Sequence, residues 1–165
     1  MDQGLLIARL VIGLLMAGHG AQKAFGWFGG YGLAGVGTYL ETLGFRPGRL
    51  FAAAAAASEI AGGLLIALGL FGPVGPALML SVMIVAAVTV HWKQGLFVTT
   101  NGIEVPLLYA TAAVALALTG PGRLSLDFAF GLPAFSPLVT YATLLAGALG
   151  GFANLALRRT PVATA

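Results

Sequence analysis

The sequence predicts an all-α membrane protein: an antiparallel four-helix transmembrane bundle followed by a fifth, C-terminal transmembrane helix. Three observations carry this. Of 165 residues, 59% are hydrophobic and only 8% are charged, whereas a soluble domain carries roughly 25% charged residues. Mean hydropathy is +0.97. The apolar residues gather into five stretches, each close to the roughly 20 residues that a helix needs to cross the hydrocarbon, and clusters of Gly and Pro separate them.

The first stretch runs from about Leu5 to Ala24 and the second from about Leu50 to Leu70. The third covers about Pro76 to Trp92, the fourth about Ile103 to Thr119, and the fifth about Pro137 to Leu157. Pro47 suits the first turn of the second helix. Gly72-Pro73-Val74-Gly75-Pro76 forms a tight turn before the third, Asn101-Gly102 precedes the fourth, and Gly120-Pro121-Gly122 ends it. Short turns make sequential helices pack antiparallel. The longest connection, 25–49, begins with an aromatic, glycine-rich segment suited to the headgroup zone, with Phe25, Trp27, Phe28 and Tyr31 as an interfacial belt. Leu33, Val36, Leu40 and Leu43 then recur at helical spacing, which predicts an amphipathic interfacial helix over about 33–44, ended by Gly44. The whole of 1–165 reads as one membrane domain. Asp2 and Arg9 are out of place in a signal peptide, so the N-terminus reads as a retained helix.

Charge placement predicts orientation. The face on which the first helix ends holds Lys23, Arg46, Arg49, Lys93, Arg158 and Arg159, against Arg123 on the N-terminal face. The excess of Lys and Arg on cytoplasmic loops places the N-terminus outside and the C-terminus in the cytoplasm. No basic run with interleaved aromatics suggests nucleic acid as a partner. The chain has no cysteine, which excludes disulfides and thiolate chemistry within it. Small residues, from Ala52 to Ala57 with Ser58, Gly62 and Gly63, suit close helix contacts, as do Gly147 and Gly151 in a G-x-x-x-G pattern.

Ionisable groups within a bilayer are costly and invite a functional explanation. His19 lies about 7–8 Å inside the basic end of the first helix, and Glu59 about 13 Å into the second. His91 ends the third and Glu104 opens the fourth. With Lys23, these residues lean from four helices toward the basic face, which predicts a one-sided polar pocket. His19, Glu59, His91 and Glu104 are the candidates for proton transfer, and Arg9, Lys23, Asn101 and Asp127 for binding. The same arithmetic sets Arg9 within about 10 Å of the Glu59 level, so an Arg9–Glu59 ion pair is expected. The chain has neither an H-E-x-x-H sequence nor a Glu-x-x-His pair, and neither metal nor haem is predicted. Bland readings compete: Glu104 as a helix cap, His91 as an interfacial anchor beside Trp92, Lys23 as a snorkelling cation.

At these positions the chain resembles the DoxX family of small bacterial and archaeal membrane proteins. The resemblance spans about residues 4–130. It rests on Arg9, the G-H-G-x-x-K of Gly18 to Lys23 with the F-G-W-F-G-G after it, and Ser58 to Leu70. It continues with His91, the N-G-x-E of Asn101 to Glu104, and the G-P-G-R-L-S-L-D of Gly120 to Asp127. It implies a four-helix core over 1–130, so that 131–165 adds a helix and a basic tail, and a multi-pass protein of the bacterial cell membrane. It also implies association with soluble redox partners and with quinone chemistry. The first reading is therefore a redox-associated membrane subunit with a quinone in its polar pocket, where His19 or His91 donates to a carbonyl and Glu59 or Glu104 passes protons. The alternatives are a carrier of small solutes or protons, possible also as a homo-oligomer, and a non-catalytic membrane anchor.

Overall fold

The computed structural model describes residues 1–159. Among these the chain forms α1 (Asp2–Phe25), α2 (Gly32–Thr42), α3 (Gly48–Leu68), α4 (Val74–Ala86), α5 (Glu104–Thr119), α6 (Leu126–Ala129) and α7 (Pro137–Ala156). A π-helical turn over Ala87–His91 and a 3-10 turn over Trp92–Gln94 extend α4. Four apolar helices are long enough to cross a membrane: Asp2–Phe25, Gly48–Leu68, Val74–Gln94 and Pro137–Ala156. The expected fourth helix, α5, is shorter at 16 residues, about 24 Å of rise. Every predicted helix is present within a few residues of its expected bounds. The four-residue α6, capped by Ser125 Oγ accepting from Phe128 N–H at 3.2 Å, was not expected.

α1 packs chiefly against α3, and α4 touches α3, α5 and α7. α2 lies across the start of α3, where Glu41 Oε1 accepts from Gly48 N–H at 2.9 Å. The C-terminal end of α7 returns to the α2–α3 turn, because Arg159 N–H donates to Gly44 O at 2.9 Å. Five apolar helices thus alternate in direction, and α1 and α7 end on one face.

Lipid tails are as apolar as leucine, so helices associate here through close packing rather than by escaping water. Glycines set that packing. A Cβ on Gly13 would lie 2.5 Å from Gly63 O and 2.6 Å from Ala67 N, and one on Gly20 would lie 2.8 Å from Ala56 O. On its other face, α3 sets Gly62 against Gly75 and Leu78 of α4. The Gly147/Gly151 pattern is the face by which α7 meets α4: Gly147 abuts Ala77, and Gly151 abuts Ser81 and Ile84. Between the close contacts, Met16, Ile66, Met79, Met83 and Ala113 fill the interior. Ile7, Leu14, Leu15, Leu138, Leu145, Leu149 and Phe152 face outward, as a lipid-facing surface requires.

The α1–α3 contact leaves the two helices staggered. Gly13 faces Gly63 and Ala67, while Gly20 faces Ala56 and Ile60. Continued toward the N-terminus, that register carries α1 beyond the end of α3. A Gly13→Val variant should lose about 1–3 kcal/mol in detergent thermal unfolding. Gly18→Ala, with nothing within 4 Å of the added carbon, should be neutral or stabilising. Equal tolerance of both would contradict a glycine-set contact.

Candidate functional site

The stagger decides which charges meet. Glu59 lies at the level of Gly20 and is 2% exposed. Lys23, one helical turn past Gly20, places Nζ 2.9 Å from Glu59 Oε1 as a hydrogen bond and 2.7 Å from Oε2. The Lys23 side chain remains 29% exposed, against 3% for Glu59, so the carboxylate is sealed and its cation reaches the rim. The expected Arg9–Glu59 ion pair is not formed. Depths counted from the helix ends hold only for flush helices, and α1 is displaced toward the N-terminal face. Arg9 therefore packs on Gly69, ten residues beyond Glu59, about 15 Å along the axis.

Around the Lys23–Glu59 pair stand three further polar side chains. His19 Nδ1 is 3.1 Å from Gln22 Oε1. Gln22 Nε2 donates to Phe28 O at 3.3 Å, and since a carbonyl can only accept, the amide oxygen must face the imidazole. His19 is thereby assigned Nδ1–H when neutral, and its Nε2 carries the free lone pair. Tyr109 of α5 meets the His19 ring edge-on, 5.9 Å between centroids at 82°. Gln22 and Tyr109 are members that sequence reasoning missed. Gln22 was legible as the i+3 neighbour of His19 on one helix. Tyr109 carried only the weaker signal of a hydroxyl-bearing ring inside an apolar span.

The other predicted residues do not join this cluster through hydrogen bonds or ion pairs. His91 Nδ1 donates to Asn101 O at 2.7 Å, so Asn101 contributes its backbone, held at φ 62, rather than its amide. Glu104 Oε2 accepts from Val98 N–H at 2.7 Å. Both fasten the α4–α5 connection, with Glu104 near the positive end of α5.

Arg9 and Asp127 form a separate knot at the opposite end. Arg9 is 2% exposed and donates through Nη2 to Leu124 O. It rests on Gly69, the left-handed cap of α3 (φ 63), where a cation complements the carbonyl end of the helix. A side chain at Gly69 would collide with the guanidinium and with Ser125. Asp127 N–H donates to Gly69 O at 3.1 Å, and its carboxylate accepts from Phe71 and Gly72 N–H at 2.8 Å each. The knot fixes the α3–α4 turn. Beside it lies a cavity of about 490 Å³ lined by Asp127, Ser125, Thr140, Tyr141 and apolar residues of 132–137. The eight predicted site residues thus divide among a buried ion-pair cluster, a loop fastening and a knot at the far end.

A bundle of apolar helices whose buried charges are held in such groups defines a multi-pass helical membrane protein. The DoxX family model matches residues 4–92, more than half of the chain, and the chain belongs to that family. The match covers α1 to the end of α4 and includes Arg9, His19, Lys23, Glu59 and His91. No curated protein and no solved structure matches the chain.

Removing one member of a buried ion pair strands the other, typically at about 3–5 kcal/mol. Lys23→Met should therefore destabilise the protein more than the double variant Lys23→Met/Glu59→Gln in thermal unfolding. Additive losses would show that the two side chains are not coupled.

Proposed function

We propose that the protein is the membrane subunit of a quinone-linked redox system, with its chemistry at the His19–Lys23–Glu59–Tyr109 cluster. The observation that carries this reading is a carboxylate 2% exposed, paired at 2.7 Å with the partly open Lys23, in a chain otherwise poor in charge. Gly18 and Gly20 flank His19, and a Cβ added at Gly18 would meet nothing within 4 Å.

The residues suit a quinone headgroup in kind. Carbonyl oxygens need donors, and Lys23 Nζ and the Tyr109 hydroxyl supply them, as does His19 when protonated. Glu59 Oε2 is buried, with Lys23 Nζ 2.7 Å away but no aligned hydrogen bond, and is the oxygen that would take up a proton. A bound quinone would supply two-electron, two-proton chemistry, with electrons from a soluble partner enzyme; without cysteine the chain has no thiol couple of its own. Within the chain, Lys23 holds Glu59 in place and, from its partly open position, links that carboxylate to the rim. Gln22 orients His19 so that Nε2 remains available. The redox association implied by the family resemblance points in the same direction.

General acid–base groups contribute roughly 10²–10⁴ in rate. Glu59→Gln, which keeps size and loses the charge, should lower quinone-dependent turnover in native membranes by about 10² or more while the protein still accumulates. Full turnover in this variant would remove the cluster from the chemistry. The reading also places the protein in the bacterial cell membrane with its C-terminus in the cytoplasm. A C-terminal fluorescent-protein fusion should then be bright and a C-terminal alkaline phosphatase fusion inactive; the reverse would invert the orientation.

A further inference from the structure

We infer that the α2–α3 turn and the C-terminal end of α7 together form a binding site for the phosphate of an anionic phospholipid. Four of the chain's eight Lys and Arg residues converge there: Arg46, Arg49, Arg158 and Arg159. More than a hundred residues separate the two pairs in sequence. Two hydrogen bonds bring them together: Arg159 N–H to Gly44 O at 2.9 Å, and Arg158 Nε–H to Leu43 O. Arg49 is held at its stem, where its backbone and Cγ pack on Gly37. All four arginines are exposed.

In this cluster positive charge outweighs negative among the described residues. Among the described residues the ion pair found is Lys23–Glu59, so none of the four guanidinium groups has a carboxylate partner. Glu41, whose carboxylate accepts from Gly48 N–H at this turn, sets one negative charge against the four positive ones. Arg49 also lies in the first turn of α3, at the positive end of a helix dipole, where a cation is unfavourable. Arg158 and Arg159 complement the carbonyl end of α7, yet Arg158 turns across to the α2–α3 turn. Like charges gathered at one turn beside a positive helix end suit an anion, and guanidinium forks suit phosphate oxygens.

The surroundings choose the lipid over a free ion. α2 is amphipathic and lies on the start of α3, and exposed Leu50 and Leu157 are the chain neighbours of Arg49 and Arg158. Those apolar side chains offer a path for acyl chains directly below the phosphate. Neither the family match over 4–92 nor the quinone reading involves Arg158 or Arg159, so this inference stands apart from both.

The test is native mass spectrometry of the full chain in detergent, titrated with phosphatidylglycerol or with phosphatidylcholine of the same acyl chains. Phosphatidylglycerol should be retained in preference. The preference should weaken by roughly five-fold for each arginine removed in Arg46→Gln/Arg49→Gln and in Arg158→Gln/Arg159→Gln. Arg158→Lys/Arg159→Lys should retain most of it, and Arg123→Gln, at the other face, all of it. Unfolding of each variant in lipid-free detergent checks that the fold survives. Should a variant unfold, the wild-type preference and its loss with added salt decide. Equal retention of the two lipids, undiminished preference in both double variants, or full competition by inorganic phosphate alone would overturn the inference.

Discussion

The structure depends on the close approach of α1 and α3. Gly13 and Gly20 on one helix, with Gly63 and Ala56 on the other, bring the backbones together at two points two helical turns apart. Two such points fix the register as well as the distance. Any slide along the axis replaces glycine by a side chain at one of them, where the added carbon would meet backbone at about 2.5 Å. In lipid, where no hydrophobic gradient favours one helix arrangement over another, this steric constraint decides the alignment.

The alignment in turn distributes charge. The chain has few ionisable groups to place, and a flush pairing of the helices would bring Arg9 toward Glu59. The stagger instead sends Arg9 to the carbonyl end of α3 and gives Glu59 to Lys23. Each end then meets its own electrostatic need: a cation and the Asp127 carboxylate at the α3–α4 turn, and a buried carboxylate with its partly open lysine toward the basic face. The addition of α7 follows the same rules. Gly147 and Gly151 dock it on α4, and its last residues carry arginines back to the α2–α3 turn.

Much of the fold was legible because membrane helices announce themselves by length and composition. The spans, the amphipathic segment and the turn glycines were all found close to their expected positions. Even the Gly147/Gly151 pattern, a common and weak signal, proved to be a true contact face. The site was legible only in part. Residue types named Lys23, Glu59 and His19, since each is costly in lipid. Pairing was not legible, because depth counted from helix ends ignores axial stagger, and stagger lives in the fit of glycines between helices. Tyr109 was missed for a related reason: which face of α5 turns toward His19 is a tertiary fact. The expected convergence of His91 and Glu104 with the cluster overlooked a nearer use, fastening the backbone of their own loop.

The glycine-set stagger gives Glu59 to Lys23 and withholds it from Arg9. Solid-state NMR of the protein in lipid bilayers measures this directly, through nitrogen–carbon dipolar couplings to the Glu59 carboxyl carbon. Strong dephasing is expected from Lys23 Nζ, matching contacts of 2.7 and 2.9 Å to the two carboxylate oxygens, and none from the Arg9 guanidinium. Dephasing from Arg9 with none from Lys23 would contradict this pairing.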